Sequence, residues 1–255
     1  MPTLSVALIC QNEEANLPAW LAAVAGVADQ VVAVDSGSSD ATLEVLRQAG
    51  AVVLERPWSG YTGQRNAAAD LCTGDWILFL DADERPDAEL RQALLALKQG
   101  PEPREAGFEL GFKVFFFGRH LAHGGYGQER HLRLFRRGAG RWQSREVHER
   151  LVVEGTVGLM PGKVEHYSYH SVGQYLSRLE RYSAQAARQM QAAGRRATGL
   201  SAWGHAAWAF VNRYLLRLGF LDGFEGYLAA RLEALYTLVK YARLRELARG
   251  IEDRP

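Results

Sequence analysis

Apolar positions in the first hundred residues switch repeatedly between two periods. Leu4–Cys10 is a continuous apolar run of strand length, and Leu17, Leu21 and Val24 then recur at helical spacing. Gln30–Val34 predicts a second short strand. Leu43 and Leu46 predict a second helix, with Asp40 able to cap its start and Ala49-Gly50 ending it. Ala51–Leu54 predicts a third strand, Gln64–Leu71 a short helix and Trp76–Leu80 a fourth strand. Leu90, Leu94 and Leu97 form the stripe of a further helix, which Gly100-Pro101 stops. Strands alternating with helices predict an α/β fold: a mostly parallel sheet with helices on both faces.

The pattern changes twice more. Phe108–Phe117, Leu132–Phe135 and Leu151–Val153 are strand-like and are separated by Gly, Arg and His. From Ser171 onward the periodicity is helical, over 172–191, 199–220 and 223–248, punctuated by Gly194, Gly199, Gly219 and Gly223. The expected organisation is a catalytic domain over residues 1–170 and a helical region over 171–255.

Composition narrows the class. The chain has 255 residues, 47% hydrophobic and 23% charged, which is ordinary for a globular protein with a sizeable core. Met1-Pro2-Thr3-Leu4-Ser5 lacks the basic start of a signal peptide, and no uncharged apolar stretch is long enough to predict a spanning helix. Cys10 and Cys72 lack metal-type spacing and read as reduced core residues. These features predict a cytoplasmic protein, or one at the cytosolic face of a membrane. The net charge of +1 hides an asymmetry: residues 171–255 carry 13 Lys+Arg against 7 Asp+Glu, and the preceding 170 residues are net acidic. A basic tail region points to an anionic partner.

Three polar clusters follow predicted strands. Gln11-Asn12-Glu13-Glu14 follows the first, Asp35-Ser36-Gly37-Ser38-Ser39-Asp40 the second, and Asp81-Ala82-Asp83-Glu84 the fourth. Each alone reads as helix capping at a strand-to-helix turn. Together they make one polar rim at the carboxyl edge of a parallel sheet, where such folds bind ligands. Neither a Gly-x-Gly-x-x-Gly turn nor a Gly-x-x-x-x-Gly-Lys-Ser/Thr loop is present, so phosphates are not cradled by glycine-rich backbone. Acids instead suit a nucleotide whose phosphates are neutralised by a hard cation such as Mg²⁺ or Mn²⁺.

The series SVALICQNEEANL, VVAVDSGSSDAT and GYTGQRNAAADLCTGDWILFLDADE resembles the family 2 inverting nucleotide-sugar glycosyltransferases, which have the GT-A fold. The later RLFRRGAGRWQSREVHERL and VEHYSYHSVGQYLSRLERYSAQAA, with GFLDGFEGYLAARLEALYTLVKYARL, resemble the bacterial branch of lipopolysaccharide-core β-1,4-glucosyltransferases. By this resemblance Asn12, Glu13 and Asp35 line the base and ribose of the donor, with Asp35 bonding uracil. Arg65 and Asn66 sit near the donor, Asp81 contacts ribose or a metal-bound water, and Asp83 binds a divalent metal directly. The catalytic base falls to Glu149 in Val147-His148-Glu149, which departs from the family's x-Glu-Asp by His in the middle and Glu at the end; Glu146 and Glu129 are the alternatives. His166 fits a late histidine ligand of the metal. The Arg130–Arg145 band reads as solvated surface or as a cradle for phosphates.

The implied reaction moves a sugar, glucose by the resemblance, from a UDP-sugar to a lipopolysaccharide-core or other lipid-linked saccharide. A polyprenyl-phosphate or polysaccharide acceptor and a non-catalytic sugar-nucleotide-binding protein are the alternative readings. A phosphatase using the same acid pair is disfavoured, because Asp83-Glu84-Arg85-Pro86 lacks the residues that follow a nucleophilic Asp. No nucleic-acid partner is expected. Aromatic and basic residues interleave over 203–248, and Leu228, Leu232, Leu235, Val239 and Ala242 fall on one stripe. That stripe reads as core packing, a homodimer surface, or a peripheral contact with an anionic membrane.

Overall fold

The computed structural model describes residues 1–126, 129–145, 148–169 and 171–251. The chain forms two compact units, residues 1–112 with 129–166, and residues 113–128 with 167–255. The elements of the first half are β1 (Leu4–Cys10), α1 (Leu17–Val24), β2 (Gln30–Asp35), α2 (Thr42–Gln48), β3 (Val52–Glu55), α3 (Tyr61–Leu71), β4 (Trp76–Phe79), β5 (Glu84–Pro86) and α4 (Ala88–Gln99). Then follow β6 (Gly107–Phe116), β7 (Arg119–Leu121), β8 (Arg130–Arg136), β9 (Gly140–Arg145), β10 (His148–Val153) and β11 (Val157–Tyr169). Helices α5 (Val172–Ala192), α6 (Gly199–Val211) and α7 (Gly223–Leu247) complete the chain.

The first unit is an α/β fold on the sheet order β3-β2-β1-β4-β8-β6-β11-β5. Strands β3, β2, β1 and β4 run parallel, as βαβ crossovers require, and β8 adds antiparallel to β4. Side chains alternate between two faces. Val6, Leu8, Leu78 and Leu80 join α1, α2 and α4 in one apolar cluster, through Trp20, Leu46 and Leu94. Ala7, Val32, Val34, Ile77 and Phe79 point the other way, onto Ala68 of α3 and Trp142 of β9. Both Cys10 and Cys72 are free and buried, and burial pushes the Cys72 thiol up to about 12.

Strand β5 is three residues long, yet it fixes the site. It pairs antiparallel with β11, so that His166 lies opposite Glu84. Asp87 caps α4 by accepting from the Leu90 amide at 2.9 Å, and its Oδ1 also accepts from the Lys163 amide at 3.1 Å. Gly162 makes this approach of β11 to α4 feasible. Its φ is +83°, and a Cβ there would lie 2.1 Å from the Leu90 nitrogen.

In the second unit β7 pairs with the distal part of β6. Phe116, Leu121, Tyr175, Ala229 and Leu232 form one cluster, and Ala187, Ala202, Tyr241 and Leu244 another. The helical stretch expected over 199–220 ends at Val211. A wide turn follows over Asn212–Leu216, and Leu218 takes φ 60°. Of the Leu228–Ala242 stripe, Leu232 is buried and Leu228 packs beside it, whereas Leu235 is exposed. No helix among the described residues is long and apolar enough to cross a membrane.

Gly162→Ala is expected to lower the stability of the protein by about 3 kcal/mol, through positive φ and overlap with α4. Chemical denaturation followed by circular dichroism measures it; an unchanged midpoint contradicts the close approach.

Candidate active site

The first two polar clusters bind each other. The Asn12 amide donates to Ser38 Oγ at 2.8 Å, and Asn12 Oδ1 accepts from the Ser39 amide at 2.8 Å. The Glu13 amide donates to Thr42 Oγ1 at 2.7 Å, the Glu14 amide to Asp40 Oδ2 at 3.2 Å, and Glu14 Oε2 accepts from the Ala41 amide at 2.8 Å. The loops after β1 and β2 are therefore laced together, with Asn12 at φ 57°. Asp35 is fully buried, and its Oδ2 accepts from the Gly37 and Ser38 amides at 2.8 Å each. Its Oδ1 accepts from the Ser38 hydroxyl. Asp35 thus shapes the loop beside it, while Glu13 Oε2 accepts from Asn16 Nδ2 at 2.7 Å.

The third cluster closes on itself and on two arginines. Glu84 reaches back to accept from the Asp81 amide at 2.9 Å, and its own amide donates to the Asp81 carbonyl at 2.9 Å. Arg133 of β8 donates to Glu84 at 3.0 Å and to Asp81 at 3.4 Å. Arg65 of α3 donates to both Asp81 oxygens, at 3.0 and 3.2 Å, and to Glu149 of β10 at 2.9 Å. Burial works against the Asp81 charge, but Arg133 and then Arg65 outweigh it and hold this carboxyl at about 2. Glu84 goes the other way: burial, with the nearby Asp81 charge, raises it despite Arg133.

Residues 65 and 66 bring Glu149 to the sheet edge. Asn66 Nδ2 donates to the Trp142 carbonyl at 2.9 Å, and Asn66 Oδ1 accepts from the Trp142 amide at 3.0 Å. This two-point clasp docks the β9–β10 hairpin on α3. The Arg65 guanidinium lies 4.5 Å from the Trp142 ring centre. Register pairs Glu149 with Ser144, and Ser144 Oγ donates to Thr62 Oγ1 of α3 at 2.9 Å.

Asp83 faces His166, with Oδ2 and Nε2 3.6 Å apart. Burial pulls the His166 pKa down, but the hydrogen bond and charge of Asp83, with Glu84 and Asp81, raise it on balance. Among the described residues no three His, Cys, Asp or Glu side chains converge as a metal site. A carboxylate and an imidazole in a field that favours positive charge fit a cation whose remaining ligands come from phosphate and water, as Mg²⁺ and Mn²⁺ sites commonly do.

The expected residues thus fall into two groups: Asn12, Glu13 and Asp35 at the laced loops, and Arg65, Asn66, Asp81, Asp83, Glu149 and His166 around the turn after β4. Glu129 is not among them; its carboxylate lies 3.9 Å from His131. Glu146 lies outside the described residues. Arg133 and Glu84 were given no individual role by the sequence. The available signal was an arginine between two leucines in a strand, where it is 9% exposed. Three other arginines of the band are anchored elsewhere: Arg136 to Glu102 and over Trp76, Arg137 to the Gly74 carbonyl, Arg141 to Asp70.

Comparison with known proteins decides the family. The profile of glycosyl transferase family 2 matches residues 5–104. The chain is 30% identical over 248 residues to the lipopolysaccharide core biosynthesis glycosyltransferase LpsC of Rhizobium meliloti, covering 94% of this chain and 91% of that protein. The chain belongs to glycosyltransferase family 2. An uncharacterised glycosyltransferase of Rickettsia typhi is 26% identical over 258 residues, with 97% and 88% covered. The mannosyltransferase PcManGT of Pyrobaculum calidifontis, solved with GDP-Man and Mn²⁺, shares the fold at TM-score 0.50 and 17% identity, over 95% and 87% of the two chains. This family 2 glycosyltransferase is accordingly a GT-A enzyme, with the acidic turn after β4 at the carboxyl edge of its parallel strands.

Breaking the buried pair in this glycosyltransferase should cost more than deleting it. Arg133→Met leaves Glu84 uncompensated and is expected to destabilise by about 3–5 kcal/mol. Adding Glu84→Gln should return a substantial part of that loss in urea unfolding; a double variant no more stable than Arg133→Met contradicts the pairing.

Proposed function

We propose that this glycosyltransferase moves a sugar from a UDP-sugar to a lipopolysaccharide-core or other lipid-linked saccharide, by a metal-dependent single displacement that inverts the anomeric centre. The observation that carries this reading is the Arg65 bridge between Asp81 at 3.0 Å and Glu149 at 2.9 Å. It joins the strand-end acids to a second carboxylate from a distant hairpin. The saccharide acceptor follows the likeness to LpsC over nearly the whole chain, and such an acceptor puts the enzyme at the cytosolic face of a membrane.

In this reading the laced loops of Asn12, Glu13 and Asp35 receive the base and ribose, and Asp81 faces the ribose side. Asp83 and His166 would hold the divalent cation, Mg²⁺ or Mn²⁺, which offsets charge on the departing diphosphate. Glu149 accepts the proton of the attacking acceptor hydroxyl. Its second duty, as partner of Arg65, fixes the direction of its oxygens. Asn66 acts through the hairpin it clasps. One base suffices for a single displacement, and inversion follows from attack opposite the leaving group.

Glu149→Gln is expected to lower turnover by ~10²–10⁴-fold while leaving UDP binding intact, as read by transfer kinetics and calorimetry. Unchanged turnover moves the base elsewhere. Asp83→Ala and chelation by EDTA should each abolish transfer, with the first leaving the circular dichroism spectrum unchanged. Full activity of a folded Asp83→Ala protein refutes the metal assignment.

A further inference from the structure

Helix α6 turns Ala202 and Ala206 inward, where both are buried, and turns Trp203 and Trp208 outward, 68% and 59% exposed. The tip that joins α6 to α7 is apolar and exposed as well. Leu215, Leu216, Leu221 and Phe224 are each half exposed or more. Single exposed apolar residues are unremarkable, but a run of two tryptophans, three leucines and a phenylalanine in 22 residues marks an interaction surface.

The tip is built rather than loose. Asp222 is buried, accepts from the His123 amide at 2.8 Å and the Ala122 amide at 3.2 Å, and meets His123 Nδ1 at 2.8 Å. Gly226 packs so tightly on the preceding turn that a Cβ would lie 2.0 Å from the Gly219 carbonyl oxygen. The apolar side chains are therefore held out by an anchored backbone, in which the Arg217, Leu218 and Leu221 amides donate to the Asn212, Leu215 and Leu218 carbonyls. Charge is sparse and one-sided. Residues 199–224 contain Arg213, Arg217 and Asp222 as their charged groups. Asp222 is engaged as above, and Arg213 donates to the Gly124 carbonyl at 3.0 Å and stacks on Tyr126. Arg217 is exposed.

We propose that the α6–α7 tip enters the surface of a lipid bilayer with anionic headgroups. Leu216, Leu221 and Phe224 reach the acyl boundary, Trp203 and Trp208 lie at headgroup level, and Arg217 meets lipid phosphate. The net +6 of residues 171–255 acts in the same direction. A second copy is a poorer occupant, because a two-fold contact centred on the tip sets Arg217 against Arg217. The inference deepens the membrane-surface part of the proposed function and moves it from the α7 stripe, in which Leu232 is buried, to a tip that is exposed.

The test uses the full chain and vesicles of phosphatidylcholine, alone or mixed with phosphatidylglycerol, in co-sedimentation. The wild type should bind the mixed vesicles. Leu216→Ser with Leu221→Ser should weaken that partitioning by about tenfold or more with an unchanged melting temperature. Arg217→Glu should remove the preference for phosphatidylglycerol. Wild type that binds neither vesicle, or a double serine variant that binds as well as wild type, overturns the inference. A wild-type dimer in light scattering that the serine substitutions dissociate, without vesicle binding, overturns it in favour of self-association. Vesicle binding needs no donor and no turnover, so an enzyme that transfers sugar but ignores vesicles refutes the tip alone, and one that binds vesicles without transfer refutes the proposed reaction alone.

Discussion

The Arg65 guanidinium is the interaction on which the site depends. It is 7% exposed, between a carboxylate at the end of β4 and another on β10, with an indole ring 4.5 Å from its centre. A buried charge in this position is tolerated only when its partners are in place, and removing one of them leaves the others uncompensated. Arg65 therefore makes the three elements α3, β4 and β10 interdependent. Asn66, the next residue, fixes the same hairpin through its backbone, so adjacent positions on one helix supply both the electrostatic and the hydrogen-bonded tie.

A second arginine gives the turn its polarity. Arg133 holds Glu84 and touches Asp81, and Glu84 in turn caps the Asp81 amide. Two of the three acids in Asp81-Ala82-Asp83-Glu84 are thereby matched to guanidinium groups, while Asp83 looks toward His166. The turn separates two acids held by arginines from the one proposed above to hold a cation. Pairing β5 with β11 sets His166 opposite Glu84 with a strand only three residues long, and the clamp of Asp87 and Gly162 on α4 keeps that strand in place.

The parallel half of the sheet was legible because its signals are local: apolar runs of strand length, helical stripes, and polar clusters where one gives way to the other. Those same clusters located the carboxyl edge. The clasp of Asn66 on Trp142 and the 84-residue separation of Arg65 from Glu149 leave no local signal. Strand β9, Gly140–Arg145, carries neither an apolar run nor clean alternation, since Trp142 is its anchor and the flanking residues are polar. Arg133 was hidden among arginines that differ in their partners: Glu84 for Arg133, Glu102 for Arg136 and Asp70 for Arg141. In the second unit, helical periodicity ran through the break at Val211, because apolar residues continue there for surface exposure rather than for packing.

If Arg65, Asp81 and Glu149 act as one unit, their contributions to turnover cannot be independent. The direct measurement is kcat/KM for Arg65→Met, Glu149→Gln and the double variant, each shown to be folded. The double variant should lose little beyond the larger single loss, a strongly non-additive cycle. Losses that multiply would contradict the claim that Arg65 works by holding Glu149 in the site.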